Sequence, residues 1–137
     1  MRSSRPATRA SKVLNSDPHM RAIPGLMALA AITLAIASAI HFGAGVAGIH
    51  DPFPGAAIPE AVLSVVMAIG TLGALAPPRA PWWLPLAATL VTLLGTLFGI
   101  SVTIRGGRAG DIAYHLSLLA VLLLALLLMV PRLRRAA

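Results

Sequence analysis

Cysteine is absent from the 137 residues. That absence removes disulfides, thiolate metal sites, iron–sulfur clusters, covalent c-type haem attachment and cysteine nucleophiles. Charge is scarce too, at 11% of residues against 58% hydrophobic, which excludes both an ordinary soluble domain and a disordered tail. Acids are the scarcest class: four Asp and Glu stand against 11 Lys and Arg, for a formal charge of +7. A basic chain raises the question of nucleic acid, but such binding needs a cationic face beside a folded core. Here the cations flank apolar runs too long for a soluble helix, so no nucleic-acid partner is expected. Catalytic motifs are missing as well. No HExxH spacing occurs, Ser38 and His41 lack a third group and a nucleophile elbow, and the RGGRAG stretch at 105–110 lacks a Walker lysine and reads as a flexible turn.

What the chain does have is four long apolar runs. A hydrocarbon core of roughly 30 Å takes about 20 residues of helix at about 1.5 Å each. The runs at about 23–48, 59–76, 82–104 and 111–130 meet that length. The expected fold is all-α, a bundle of four transmembrane helices, with a basic tail at 1–22 and another at 132–137. Pro24 and Pro59 are expected in first helical turns, where a missing N–H costs nothing. Pro85 lies near a third start, Pro77-Pro78 mark the end of the second run, and Pro131 is expected to stop the fourth. The basic leader and Ala37-Ser38-Ala39 resemble a cleavable signal. The leader is long, however, the apolar run continues past the small residues and no soluble domain follows, so the first helix is expected to be retained.

Given four crossings, nine of the eleven cations share a side: Arg2, Arg5, Arg9, Lys12, Arg21, Arg79, Arg132, Arg134 and Arg135. Only Arg105 and Arg108 lie opposite. Both termini are therefore expected to be cytoplasmic, in a multi-pass protein of the bacterial plasma membrane. Trp82 and Trp83 suit an interfacial belt at the start of the third helix.

The remaining ionisable groups gather at the other side. His41 lies near the outer end of helix one, His50 and Asp51 are in the first outer loop, Glu60 opens helix two, and Asp111 and His115 open helix four. Small and polar residues recur every three or four positions: Ser38, His41, Gly45 and Gly48; Glu60, Ser64, Met67 and Thr71; Thr92, Thr96, Gly99 and Thr103. In lipid such stripes are the inward faces of a bundle, and packing accounts for most of them, Gly70 and Gly73 included. Ionisable groups at membrane depth ask for a partner or a cavity.

Imidazole and carboxylate together suit zinc, iron or copper(II), with His41, His115 and Glu60 as ligands and His50 and Asp51 as lid ligands. A second possibility is haem b with His41 and His115 as axial ligands. Gly45, Gly95 and Gly99 would then leave room for the macrocycle, and Arg105 or Arg108 would pair with the propionates. A third is a proton or solute relay through Glu60, His41 and His115. A purely structural role, with the histidines hydrogen-bonded inside the bundle, remains beside these.

Three features of the first half, His41 in AIHF, the loop HDPFPG at 50–55 and Glu60 in PEAVL, resemble the DoxX-like group of small four-helix bacterial membrane proteins. The resemblance implies association with redox partners and transfers no catalytic residue. The Ala- and Arg-rich, Lys-poor composition is similar to that of membrane proteins from GC-rich bacteria. Expected partners are the lipid bilayer and other membrane subunits or further copies of the chain; Leu119, Leu122, Leu123, Leu126 and Leu127 could face either. The expected role is that of an accessory or assembly subunit holding a metal or redox cofactor near the extracytoplasmic face.

Overall fold

The computed structural model describes residues 18–76 and 82–136. Four helices follow one another: α1 (Pro18–His41), α2 (Pro54–Leu75), α3 (Trp83–Gly106) and α4 (Ala109–Ala136). Each is long and apolar enough to cross a membrane. Successive helices pack together and α4 closes back on α1, so the bundle is a four-membered ring.

The ring follows from one buried stripe per helix. On α1 it runs Ile23, Met27, Ala30, Leu34, Ser38 and His41; on α4 it runs His115, Leu118, Leu122, Ala125 and Met129. These spacings of three and four place every member on one face. On α3 the stripe is Thr89, Thr92, Thr96 and Thr103, all buried, while Leu94, Leu97 and Phe98 face outward. Polar inside and apolar outside is the arrangement that lipid favours, because helices gain nothing by hiding leucine from hydrocarbon. Most buried hydroxyls bond within their own helix, Thr71 to the Met67 carbonyl at 2.7 Å and Thr96 to the Thr92 carbonyl at 2.8 Å. Two cross between helices. Ser38 donates to the Ala57 carbonyl at 2.7 Å and Ser64 to the Ala31 carbonyl at 2.9 Å, stitching α1 to α2. Gly70 lets α2 approach α3 so closely that a Cβ there would overlap the methyl of Ala88.

Several expected boundaries move. Helix α1 ends at His41 rather than near Gly48, and its glycines explain why: Gly43 and Gly48 have φ of 98° and 81°. Residues 46–49 instead form a tight turn in which Ala47 (φ 51°) and Gly48 are both left-handed and Val46 pairs with Ile49. Gly45 and Gly48 therefore belong to this loop and not to the α1 stripe. Pro24 and Pro59 lie inside their helices, and Pro54 takes the first-turn position expected of Pro59. Pro131 does not stop α4, which continues to Ala136. All three interior prolines sit near membrane boundaries, where water can satisfy the carbonyl each one frees. Pro77, Pro78, Arg79 and the tail through Asp17 lie outside the described residues.

Candidate functional site

Three local devices bring the ionisable groups together at the end of the bundle that carries the α1–α2 and α3–α4 loops. The first is the stop of α1 at His41, whose carbonyl accepts from the Phe53 amide at 2.9 Å and so pins the far end of the loop beside the imidazole. The second is Pro54 at the start of α2, which places Glu60 under two turns into that helix, against α1. The third is Gly107, left-handed at φ 65°, whose amide bonds to the Ile104 carbonyl while the Arg108 amide reaches the Thr103 carbonyl. This Schellman closure ends α3 and turns Arg108 across the top of the bundle.

At the centre is His41, 3% exposed. Its Nδ1 lies 2.6 Å from Oε2 of Glu60, itself 3% exposed. Its Nε2 faces Oδ1 of Asp111 at 3.5 Å, longer than a good hydrogen bond. Arg108 binds the outer oxygens of two aspartates, Oδ2 of Asp51 at 2.5 Å and Oδ2 of Asp111 through its Nε. The guanidinium also lies 4.4 Å from the Phe53 ring centroid, within cation–π range. Pairing, with Asp111 above all and then with Asp51, holds the Arg108 guanidinium above its ordinary pKa. Ligand atoms of His41, Asp51 and Asp111 converge within 4.8 Å of one another.

His115 is next to this cluster and points elsewhere. Its Nδ1 lies 2.7 Å from the Asp111 backbone carbonyl, and its other edge packs on Gly99, where a Cβ would overlap the ring. Between His115 and Glu60 lies a small cavity of about 60 Å³, also lined by Leu63, Thr96 and Gly99. Glu60 Oε1 is buried without a protein partner.

Of the residues expected at the site, His41, Glu60 and Asp51 are assembled. Glu60 stands behind His41 on Nδ1, not beside Nε2. His50 is exposed, as is Arg105, and neither joins the described ion pairs. Asp111, not His115, joins His41 and Asp51 in the cluster, because Nε2 of His115 is packed against Gly99 while its Nδ1 faces the Asp111 carbonyl. The signal for Asp111 was its place among the convergent acids; the signal for Arg108 was the glycine pair before it. Haem b does not fit. Both ring nitrogens of His41 face carboxylates, His115 is packed on Gly99, and the cavity between the two side chains holds a few waters at most. Nor do the glycines expected to make room for the macrocycle leave such a space: Gly95 is closed by Leu63 and Gly45 lies in the loop.

The fold and site define a four-span membrane-type bundle with a buried His/carboxylate cluster at one end. Comparison with protein-family models, with curated proteins and with solved structures finds no match.

Proposed function

We propose that the chain is a small accessory subunit of the bacterial plasma membrane that holds a divalent transition metal at the extracytoplasmic end of its bundle. The ligands in this reading are His41 Nε2, Asp111 Oδ1 and a carboxylate oxygen of Asp51. The observation that carries it is the 3.5 Å between His41 Nε2 and Asp111 Oδ1. Two ligands at about 2.0–2.2 Å from a tetrahedral zinc ion stand about 3.4 Å apart, so the pair already has the separation a shared cation requires. Glu60 supports the same assignment from behind. An ionised Glu60 accepts from Nδ1–H, which leaves the Nε2 lone pair directed at the cation position, the usual outer support of a metal-bound imidazole.

Charge points the same way. Asp51, Glu60 and Asp111 oppose one guanidinium, which formally leaves two negative charges at the end of an apolar bundle. One divalent cation balances them, or two protons on His41 and His115. The features that resemble DoxX-like proteins, His41, the 50–55 loop and Glu60, meet at this cluster. An accessory role suits a chain that offers a cluster and no catalytic motif.

The test is a zinc titration of the purified, chelator-stripped protein in detergent by calorimetry, with His41→Ala and Asp111→Asn beside it. One equivalent should bind, and each variant should lose it while retaining the helical circular dichroism of the parent. Absence of binding in the parent, or undiminished binding in both variants, leaves Arg108 as the cluster's own cation and a purely structural network.

A further inference from the structure

A cleft leads from this cluster down the outside of the bundle. Its upper part has a volume of about 350 Å³ and is lined by Thr33, Ile36, Ile40, His41, Asp111 and Tyr114, with Ala37, Ile49, Asp51 and Gly110 completing the wall. That is a small-ligand volume, at the low end of the roughly 300–1,000 Å³ of ordinary binding pockets. Every lining residue comes from α1, α4 or the α1–α2 loop. In a ring of four helices, a cleft that touches neither α2 nor α3 opens outward, toward lipid. A second hollow of about 190 Å³ lies beyond Thr33 and Tyr114, which line both, along Leu29, Ala30, Ser117, Leu118 and Val121. From His41 to Leu29 the two hollows together follow twelve residues of α1, about 18 Å at 1.5 Å each. One leaflet of a bilayer is about 15 Å deep in hydrocarbon, half of the full thickness.

The two ends of this cleft differ in chemistry. The long lower part is apolar. The upper end presents acceptors: His41 Nε2, when Nδ1 donates to Glu60, and carboxylate oxygens of Asp111 and Asp51, all within 4.8 Å of one another. Arg108, the one donor of the cluster with a full charge, is bound to Oδ2 of each aspartate, leaves Oδ1 of Asp111 to face His41, and lines neither hollow. A head group that enters here must bring donors and positive charge. A primary ammonium has three N–H donors for three acceptors, whereas a quaternary ammonium has the charge and no donor.

We infer that the α1–α4 cleft binds one amine-headed lipid from the adjacent leaflet, its ammonium on Asp111, Asp51 and His41 and one chain along the groove to Leu29. Depth of one leaflet, a lateral opening and an acidic, acceptor-only end together select a membrane lipid with a primary amine. The inference uses the carboxylates assigned above to a metal but depends on the groove, which the metal does not need.

The experiment separates the two. Delipidated, chelator-stripped protein in neutral detergent is offered palmitoyl lysophosphatidylethanolamine and palmitoyl lysophosphatidylcholine, which differ only in N–H against N–methyl, and retention is read by native mass spectrometry. One equivalent of the ethanolamine lipid should be retained at least about tenfold more strongly than the choline lipid, because a buried acceptor left unpaired discriminates steeply. Asp111→Asn should abolish that preference. Gly110→Leu should block both lipids and leave zinc affinity unchanged, since Gly110 lines the cleft, is not a ligand, and a Cβ there meets nothing within 4 Å. Ala37→Leu, on the opposite wall, does the same if the first variant fails to fold. Equal retention of the two lipids, retention of neither, or selectivity untouched by Asp111→Asn overturns the proposal. Zinc binding without lipid selectivity would sink the cleft alone, and lipid selectivity without zinc binding would sink the metal site alone.

Discussion

Glu60 and Arg108 touch the same cluster from opposite sides, and their replacement should move metal affinity in opposite directions. Glu60 fixes the His41 tautomer from a buried position, so Glu60→Gln should weaken zinc binding by roughly 10- to 100-fold, the usual loss when the outer support of a ligating imidazole is removed. Arg108 competes with a metal for Asp51 and Asp111. Arg108→Gln removes a like charge from beside the cation position and should tighten zinc binding, an effect largest at low ionic strength. A drop in zinc affinity in this variant would mean that Arg108 is needed to hold the aspartates in place. Both changes are read in one calorimetric series. Acidification should weaken the parent's affinity, because imidazole and carboxylate ligands must shed protons to bind.

At the scale of the element, the α1–α2 loop carries a cost that one substitution should relieve. Residues 46–49 form a turn with positive φ at both central positions, and Ala47 occupies one of them at 51°. An L-residue with a Cβ is disfavoured there by about 1–2 kcal/mol, and Asn or Gly is the usual occupant. Ala47→Gly should raise the thermal unfolding midpoint in detergent, and Gly48→Ala should lower it. Within α3, Gly99→Ala places a methyl on the His115 ring and should destabilise by about 1–3 kcal/mol through overpacking, read in the same melt. Much of this architecture was legible in the sequence. The spacing of Glu60, Ser64, Met67 and Thr71, and of Thr92, Thr96 and Thr103, gave the inward faces of α2 and α3, because period and polarity agree there. The end of α1 was not legible, since apolar character persists through Val46 and the helix is ended by the left-handed backbone at Gly43. The orientation of His115 was not legible either: residue type says nothing of the packing of its Nε2 edge on Gly99, which turns it away from His41, Asp51 and Asp111. Asp111 and Arg108 came together through the geometry of a helix closure, which composition does not record.

At the scale of the whole molecule, the distribution of cations sets which face of the membrane receives the cluster. Four antiparallel spans put the two loops carrying Asp51 and Arg108 at one end and the described helix ends, Pro18 and Ala136, at the other. By sequence position nine of the eleven cations precede α1's apolar run, separate α2 from α3 or follow α4's apolar run, and cationic segments are retained in the cytoplasm during insertion. The cluster would then face outward, where a metal or lipid reaches it without crossing the bilayer. The chain is a ready reporter of its own orientation because it contains no cysteine. A single cysteine at Ala44, exposed in the α1–α2 loop, should react in intact cells with a membrane-impermeant maleimide; a cysteine at Ala137 should react only after the membrane is opened. The reverse pattern would place the cluster in the cytoplasm and overturn the extracytoplasmic assignment. Adding arginines beside Ala44 should, by the same charge rule, reduce the fraction labelled from outside. That dependence would tie the orientation to the distribution of cations and not to the cluster itself.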